Sequence, residues 1–192
     1  MKNITLSKTG RILEISAAVG FIIIGILARL FPHAPNFTPI AAMGLFGAVY
    51  FNKRYAISVP LAAMLISDFL IGFYEWQLMA AVYGSFLLIT IIGFWVRNNK
   101  SSYKVIAAAP LSSVVFFLIT NFAVWAFTPW YAKTFTGLMQ TFLLAIPFFK
   151  NTLLGDLFYV SLFFGSYEVI TALIRKKFSI IAGASIHTIE AA

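Results

Sequence analysis

Pro39-Ile-Ala-Ala-Met-Gly-Leu-Phe-Gly-Ala-Val-Tyr-Phe51, followed by Asn52-Lys53-Arg54, is the stretch on which the fold turns. Its 13 residues reach only about 20 Å as a helix, short of the roughly 30 Å hydrocarbon core of a bilayer. Five other apolar runs come close to spanning length: Ile12–Phe31, Ala56–Phe73, Leu78–Val96, Val105–Phe127 and Thr152–Ile174. If the short run does not cross, the chain has five spans; if it does, it has six. The basic residues choose between these.

Eleven of the 14 Lys and Arg residues lie in segments that alternate with nearly uncharged ones. They are Lys2, Lys8 and Arg11 before the first run, Lys53 and Arg54 after the short one, Arg97, Lys100 and Lys104 after the fourth, and Arg175, Lys176 and Lys177 after the last. Arg29, Lys133 and Lys150 fall in the other segments. Under the positive-inside rule this predicts six crossings with both termini in the cytoplasm. A re-entrant Pro39–Phe51 would put Lys53 and Arg54 on the wrong side. The expectation is therefore an all-α, multi-pass protein of the cell (inner) membrane, one integral domain over residues 1–192.

Composition agrees. At 61% hydrophobic and 10% charged residues, with a mean hydropathy of +0.92, the chain is too apolar for a soluble domain. Its net charge of +8 is explained by topology and calls for no nucleic acid. The absence of Cys excludes thiolate metal sites, disulfides and thiol catalysis. His33 and His187 are the only histidines and are predicted on opposite sides of the bilayer, so no metal site is expected. Ile12–Phe31 is longer than a signal-peptide core, and Pro35 spoils cleavage after Ala34, so the first run reads as an uncleaved span.

The outer face carries most of the irregular sequence. The loop Phe31–Pro39 holds three prolines, and Thr38-Pro39 reads as an N-cap with proline at the first helical position. Because the next helix is short, this loop either dips into the protein or lies as an ordinary surface loop. Spans three and five end alike, with Ser67-Asp68-Phe69 and Thr120-Asn121-Phe122 about two turns below the surface. Between spans five and six, polar Lys133–Gly137 precedes apolar Leu138–Phe149, interrupted by Pro147. This predicts an outer-face connector helix, used as a lid or as an aromatic-belt anchor beside Trp76, Trp130 and Tyr131.

An acid inside a bilayer is costly unless paired or wetted, which makes Asp68 and Asp156 candidates for function. Asn36, Asn121, Gln140 and Asn151 fall at similar predicted depth, among Trp76, Trp125 and Tyr159. Together these nine describe a binding site for a small, flat, partly polar molecule. The competing reading is that Asp68 and Asp156 pair with Arg29 or Lys150 and tie helices together. Glu14 and Glu168 read as structural partners of Arg11 and Arg175. Small pairs four apart, Ser16/Gly20, Gly44/Ala48 and Ala63/Ser67, permit close helix contacts.

Four stretches resemble the substrate-binding S components of energy-coupling factor transporters, or an uncharacterised bacterial family allied to them. They are Pro35-Asn-Phe-Thr-Pro-Ile40, Ser67-Asp68-Phe69, Thr120-Asn121-Phe122 with Trp125, and Ile146-Pro-Phe-Phe-Lys-Asn-Thr-Leu-Leu-Gly-Asp156. The resemblance implies a six-helix subunit that binds a vitamin or precursor from the outer face. It also implies a transmembrane coupling subunit and paired ATPases as partners. Where S components often carry alanine-x-x-x-alanine on helix one, this chain has Ser16-x-x-x-Gly20. No Gly-rich loop ends in Lys-Ser or Lys-Thr, so no nucleotide site is expected in the chain itself, nor any other cofactor. The other classes are a stand-alone carrier, which would need an acid path that the inner halves of spans four and five lack, and a structural or assembly protein. A membrane enzyme is not expected, since neither clustered His and acids nor a nucleophile beside a base is visible.

Overall fold

The computed structural model describes residues 8–98 and 101–190; Lys2 and Lys100, used above for orientation, lie outside them. The described chain is all-helical: α1 Lys8–Leu30, α2 Ile40–Tyr50, α3 Lys53–Ile71, α4 Trp76–Asn98, α5 Ser102–Phe127 and α6 Phe135–Glu190. Five of these helices are long and apolar enough to cross a membrane, and α2 is the short exception. The protein is thus a multi-pass membrane protein by the length and composition of its helices. Two helices start earlier than their apolar runs because a polar residue caps them. The Asn52 side chain accepts from the Arg54 amide at 3.2 Å, and Ser101 from the Lys104 amide at 3.4 Å.

The short run is the centre of the molecule. Every residue from Ile40 to Val49 is buried, and α2 packs against α3, α4, α5 and α6. A helix apolar all round must be enclosed on all sides, and α2 is. Its contact with α4 is close enough that a Cβ added at Gly93 would lie 2.5 Å from the Ala48 Cβ. The carbonyls of Ala48 and Phe51 at its C-terminal end accept from Arg97 at 3.3 and 3.0 Å. That cation also complements the negative end of the helix dipole. At its other end Pro39 itself occupies the cap position with no side-chain cap, one residue later than the Thr38 expectation. Thr38 lines a cavity instead.

The expected connector helix does not exist as a separate element. Residues 135–190 form one helix straight through Pro147, and its apolar part, Phe135–Ile174, counts 40 residues, about 60 Å long. Its first turns lie along α5: Phe117 packs against both Phe142 and Phe149, with ring centroids 5.5 and 4.8 Å away. The reason is a stripe of buried positions, Gly137, Thr141, Ala145, Thr152, Asp156, Val160 and Phe164, which recurs at helical spacing across the proline. Pro147 sits on the exposed side of that stripe, so the ring faces away from α5, and the carbonyl freed by its missing N–H belongs to exposed Leu143.

Other pairings also differ from expectation. Glu14 accepts from the Asn52 amide rather than pairing with Arg11, and Glu168 accepts from the Tyr50 hydroxyl at 3.2 Å; the expected partner of Glu168, Arg175, has its side chain outside the described residues. Both acids thus brace the α2–α3 turn, where the chain needs acceptors. Of the small pairs, Gly44/Ala48 packs on α4 around Thr90 and Gly93, whereas Gly20 meets nothing. Helix α1 approaches α3 through Gly25, where a Cβ would lie 2.9 Å from Ala63.

Candidate functional site

At the end of the bundle formed by the 31–39 and 72–75 loops, polar side chains from five helices turn inward. The first group is built on α1, α3 and α4. Arg29, in the last turn of α1, donates to Asp68 Oδ1 at 2.7 Å, to Ser67 Oγ at 2.6 Å and to the Met64 carbonyl at 3.3 Å. Tyr83 donates to Asp68 Oδ2 at 2.8 Å. Both oxygens of Asp68 are therefore engaged, and the residue is 1% exposed. This is the only salt bridge among the described residues. A buried pair completed by further hydrogen bonds can offset its desolvation cost.

The second group is built on α5 and α6. Ser113 donates to Asp156 Oδ2 at 2.6 Å, and Asp156 is 3% exposed. Its other oxygen has no hydrogen-bond partner among the described residues, yet no fully buried side-chain oxygen is left unpartnered. That oxygen is therefore open to the space in front of it. Ser113 is fully buried and lies behind the acid, so it serves as a donor and is not exposed as a nucleophile.

Between the two groups lies a cavity of about 330 Å³, at the lower end of the roughly 300–1,000 Å³ common for small-molecule pockets. Arg29 and Asp156 reach it from its two sides; His33, Asn36 and Thr38 line it from the 31–39 loop. Tyr74, Met64, Ile71, Val82, Phe86, Phe116 and Thr152 complete the wall. The first part of the loop, residues 31–36, is exposed, and only its end, residues 37–39, is held against protein. Pro35 and Asn36 sit at the centre of a turn closed by the Phe37 amide and the Ala34 carbonyl at 3.0 Å, and Asn36 takes a positive φ of 64°. Asparagine tolerates that region and proline suits the position before it. Phe37 then packs on Phe158 and Tyr159, where a Cβ on Gly155 would lie 3.2 Å from the Phe37 Cα.

Tyr74, in the turn between α3 and α4, is pushed up to about 12, first by burial and then by the nearby Asp68 charge, with Arg29 opposing. It stays a neutral hydrogen-bonding group at the cavity wall throughout the physiological range.

Of the nine sequence candidates, Asn36 and Asp156 line this cavity. Asp68 stands behind Arg29 and does not itself line the cavity. The other six fall elsewhere. Asn121 donates to the Phe117 carbonyl of its own helix at 2.8 Å, the local alternative open to short polar side chains in an apolar setting. Trp125 donates from Nε1 to the Ala132 carbonyl at 3.0 Å, and Lys133 donates to the Thr128 carbonyl at 2.6 Å, so both close the α5–α6 turn. Trp76 belongs to a separate apolar groove with Phe122 and Phe127. Gln140 is exposed, Asn151 is half-buried outside the cavity wall, and Tyr159 is taken up by the ring cluster with Phe37 and Phe163.

Sequence reasoning missed Arg29 as a wall residue, along with Thr152, His33 and the two donors Tyr83 and Ser113. Thr152 had a legible signal, since it stands four residues before Asp156 and so shares its helix face. Ser113 is an uncharged polar residue within a long apolar run, which is a weaker one. Among the described residues no three His, Asp or Glu side chains gather as a metal site. No curated protein and no solved structure matches the chain. A family model does match residues 11–180, nearly the whole bundle, and the chain belongs to that family, a family of unknown function (DUF6580).

Proposed function

We propose that this chain is a membrane-embedded binding subunit for uptake of a small vitamin-like or precursor molecule, similar in role to the S components of energy-coupling factor transporters. The observation that carries the reading is the 330 Å³ cavity with an open carboxylate oxygen of Asp156 on one wall and the Arg29 guanidinium on the other. A concave space in which convergent polar groups meet apolar and aromatic side chains suits a small-molecule site. In this reading all six helices cross or fill the bilayer, α2 within the protein rather than against lipid. The basic residues Lys53, Arg54, Arg97 and Lys104 mark the cytoplasmic end. The 31–39 loop and the cavity mouth then face outward in the cell (inner) membrane, and both termini lie in the cytoplasm. A transmembrane coupling subunit and ATPases would supply the energy that the chain has no site to harvest.

Thermal-shift screening of the purified full chain over vitamins and nucleobases tests the binding. A stabilising compound whose effect disappears in Asn36→Ala and Asp156→Asn supports it; stabilisation that persists unchanged in both places the ligand elsewhere. Uptake into liposomes containing this chain alone would favour a stand-alone carrier over a subunit.

A further inference from the structure

The charges around the cavity do not balance, and the imbalance has a position. Arg29 is matched by Asp68 at 2.7 Å. Asp156, on the opposite wall, has a hydroxyl for a partner and no cation. Among the side chains lining the cavity, the ionisable ones are Arg29, His33, Tyr74 and Asp156. His33 stands in the loop with its Nδ1 2.8 Å from the Ala34 carbonyl, and no ion pair joins it to Asp156 among the described residues. With Asp68 counted against Arg29, Asp156 is left as the one acid of the lining without a cation, and it is 3% exposed. A buried carboxylate without a cation is costly. A cation entering the cavity removes that cost.

The cavity lining also offers what a flat cation needs next. Phe86 and Phe116 both line the cavity, and their rings lie 5.4 Å apart at 32°. Aromatic faces attract cations, more strongly once water is excluded. We propose that the cavity takes a compact, planar organic cation, with Asp156 as its counter-ion and the Phe86–Phe116 pair along its ring. This rests on the binding reading above and adds the charge class of the ligand. The free oxygen of Asp156 accepts one N–H from the cation. Arg29, held by Asp68 and Ser67, disfavours a second positive centre at the far wall, so the ligand is a monocation.

Three probes of one shape separate the possibilities: benzamidinium, benzamide and benzoate, titrated calorimetrically into the full chain in lipid nanodiscs. Benzamidinium is expected to bind roughly ten- to a hundredfold tighter than benzamide, the range for one charge-assisted hydrogen bond, and benzoate weakest. In Asp156→Asn the preference for benzamidinium over benzamide should vanish. Benzoate binding best, or benzamidinium and benzamide binding alike to the native chain, overturns the charge class and leaves a binding cavity standing. Silence from all three overturns the binding reading and this inference with it. The comparison within the native chain keeps the proposal testable even if Asp156→Asn does not fold.

Discussion

Two aspartates sit within the helices of this protein, and the two ends of the cavity treat them differently. Asp68, on the α1–α3–α4 side, is saturated by Arg29 and Tyr83. Asp156, on the α5–α6 side, has Ser113 alone and one oxygen open to the cavity. Burial is almost the same for both, at 1% and 3% exposure. What separates them is whether neighbouring helices deliver a cation. The first acid is a structural joint across three helices, and the second keeps one oxygen free of any protein partner among the described residues. An intramembrane carboxylate is therefore informative about function only once its partners are known.

The contrast can be broken from either side. The largest effect is expected at the joint, where Asp68→Ala leaves the partly buried Arg29 guanidinium without its anion and should cost about 3 kcal/mol, the lower end of the range for broken buried pairs. Chemical unfolding in detergent would measure it. The double variant Arg29→Met/Asp68→Leu should recover most of that loss, because an apolar pair of similar volume avoids the uncompensated charge. A double variant no more stable than Asp68→Ala would mean that the joint is more than an ion pair. Next comes Tyr83→Phe, which removes one hydrogen bond to a charged acceptor and should cost about 1.5–3 kcal/mol by the same measurement. Asp156→Asn should instead leave stability within about 1 kcal/mol of the native chain, since the amide oxygen still accepts from Ser113. A collapse of that variant comparable with Asp68→Ala would erase the distinction between the two acids.

The smallest effect is a pH dependence at the joint's edge. The Tyr74 phenol lies near 12 in the folded protein against an ordinary 10. A group raised on folding contributes stability that is complete below pH 10 and disappears as pH climbs towards 12. Melting temperatures followed from pH 8 to 12 should fall less steeply above pH 10 in Tyr74→Phe than in the native chain. Identical slopes would remove Tyr74 from the influence of Asp68.

Much of the scaffold was readable from residues alone, and the reasons are local. Apolar runs of spanning length announce helices because a backbone in lipid must satisfy its own hydrogen bonds. Four long runs became α1, α3, α4 and α5, with boundaries shifted where Asn52 and Ser101 cap earlier turns. The last helix was misread because Pro147 looked like a break. Its buried stripe from Gly137 to Phe164 continues at helical spacing across the proline, and that periodicity was the better guide. At the site, Asn36 and Asp156 were legible because polar residues stranded among apolar ones are few. Asn121 and Trp125 looked equivalent to them in sequence, yet one bonds to its own helix and the other to the α5–α6 turn.

Hydropathy along the chain, then, was enough to require helices, a membrane and two costly acids inside it. Which acid would be neutralised was settled in three dimensions. Arg29 and Asp68 are 39 residues apart, and Ser113 and Asp156 are 43 apart. No local pattern orders such distances. Only the packing of α1 on α3, and of α5 on α6, brings a cation to one aspartate and leaves the other with a hydroxyl and an open space.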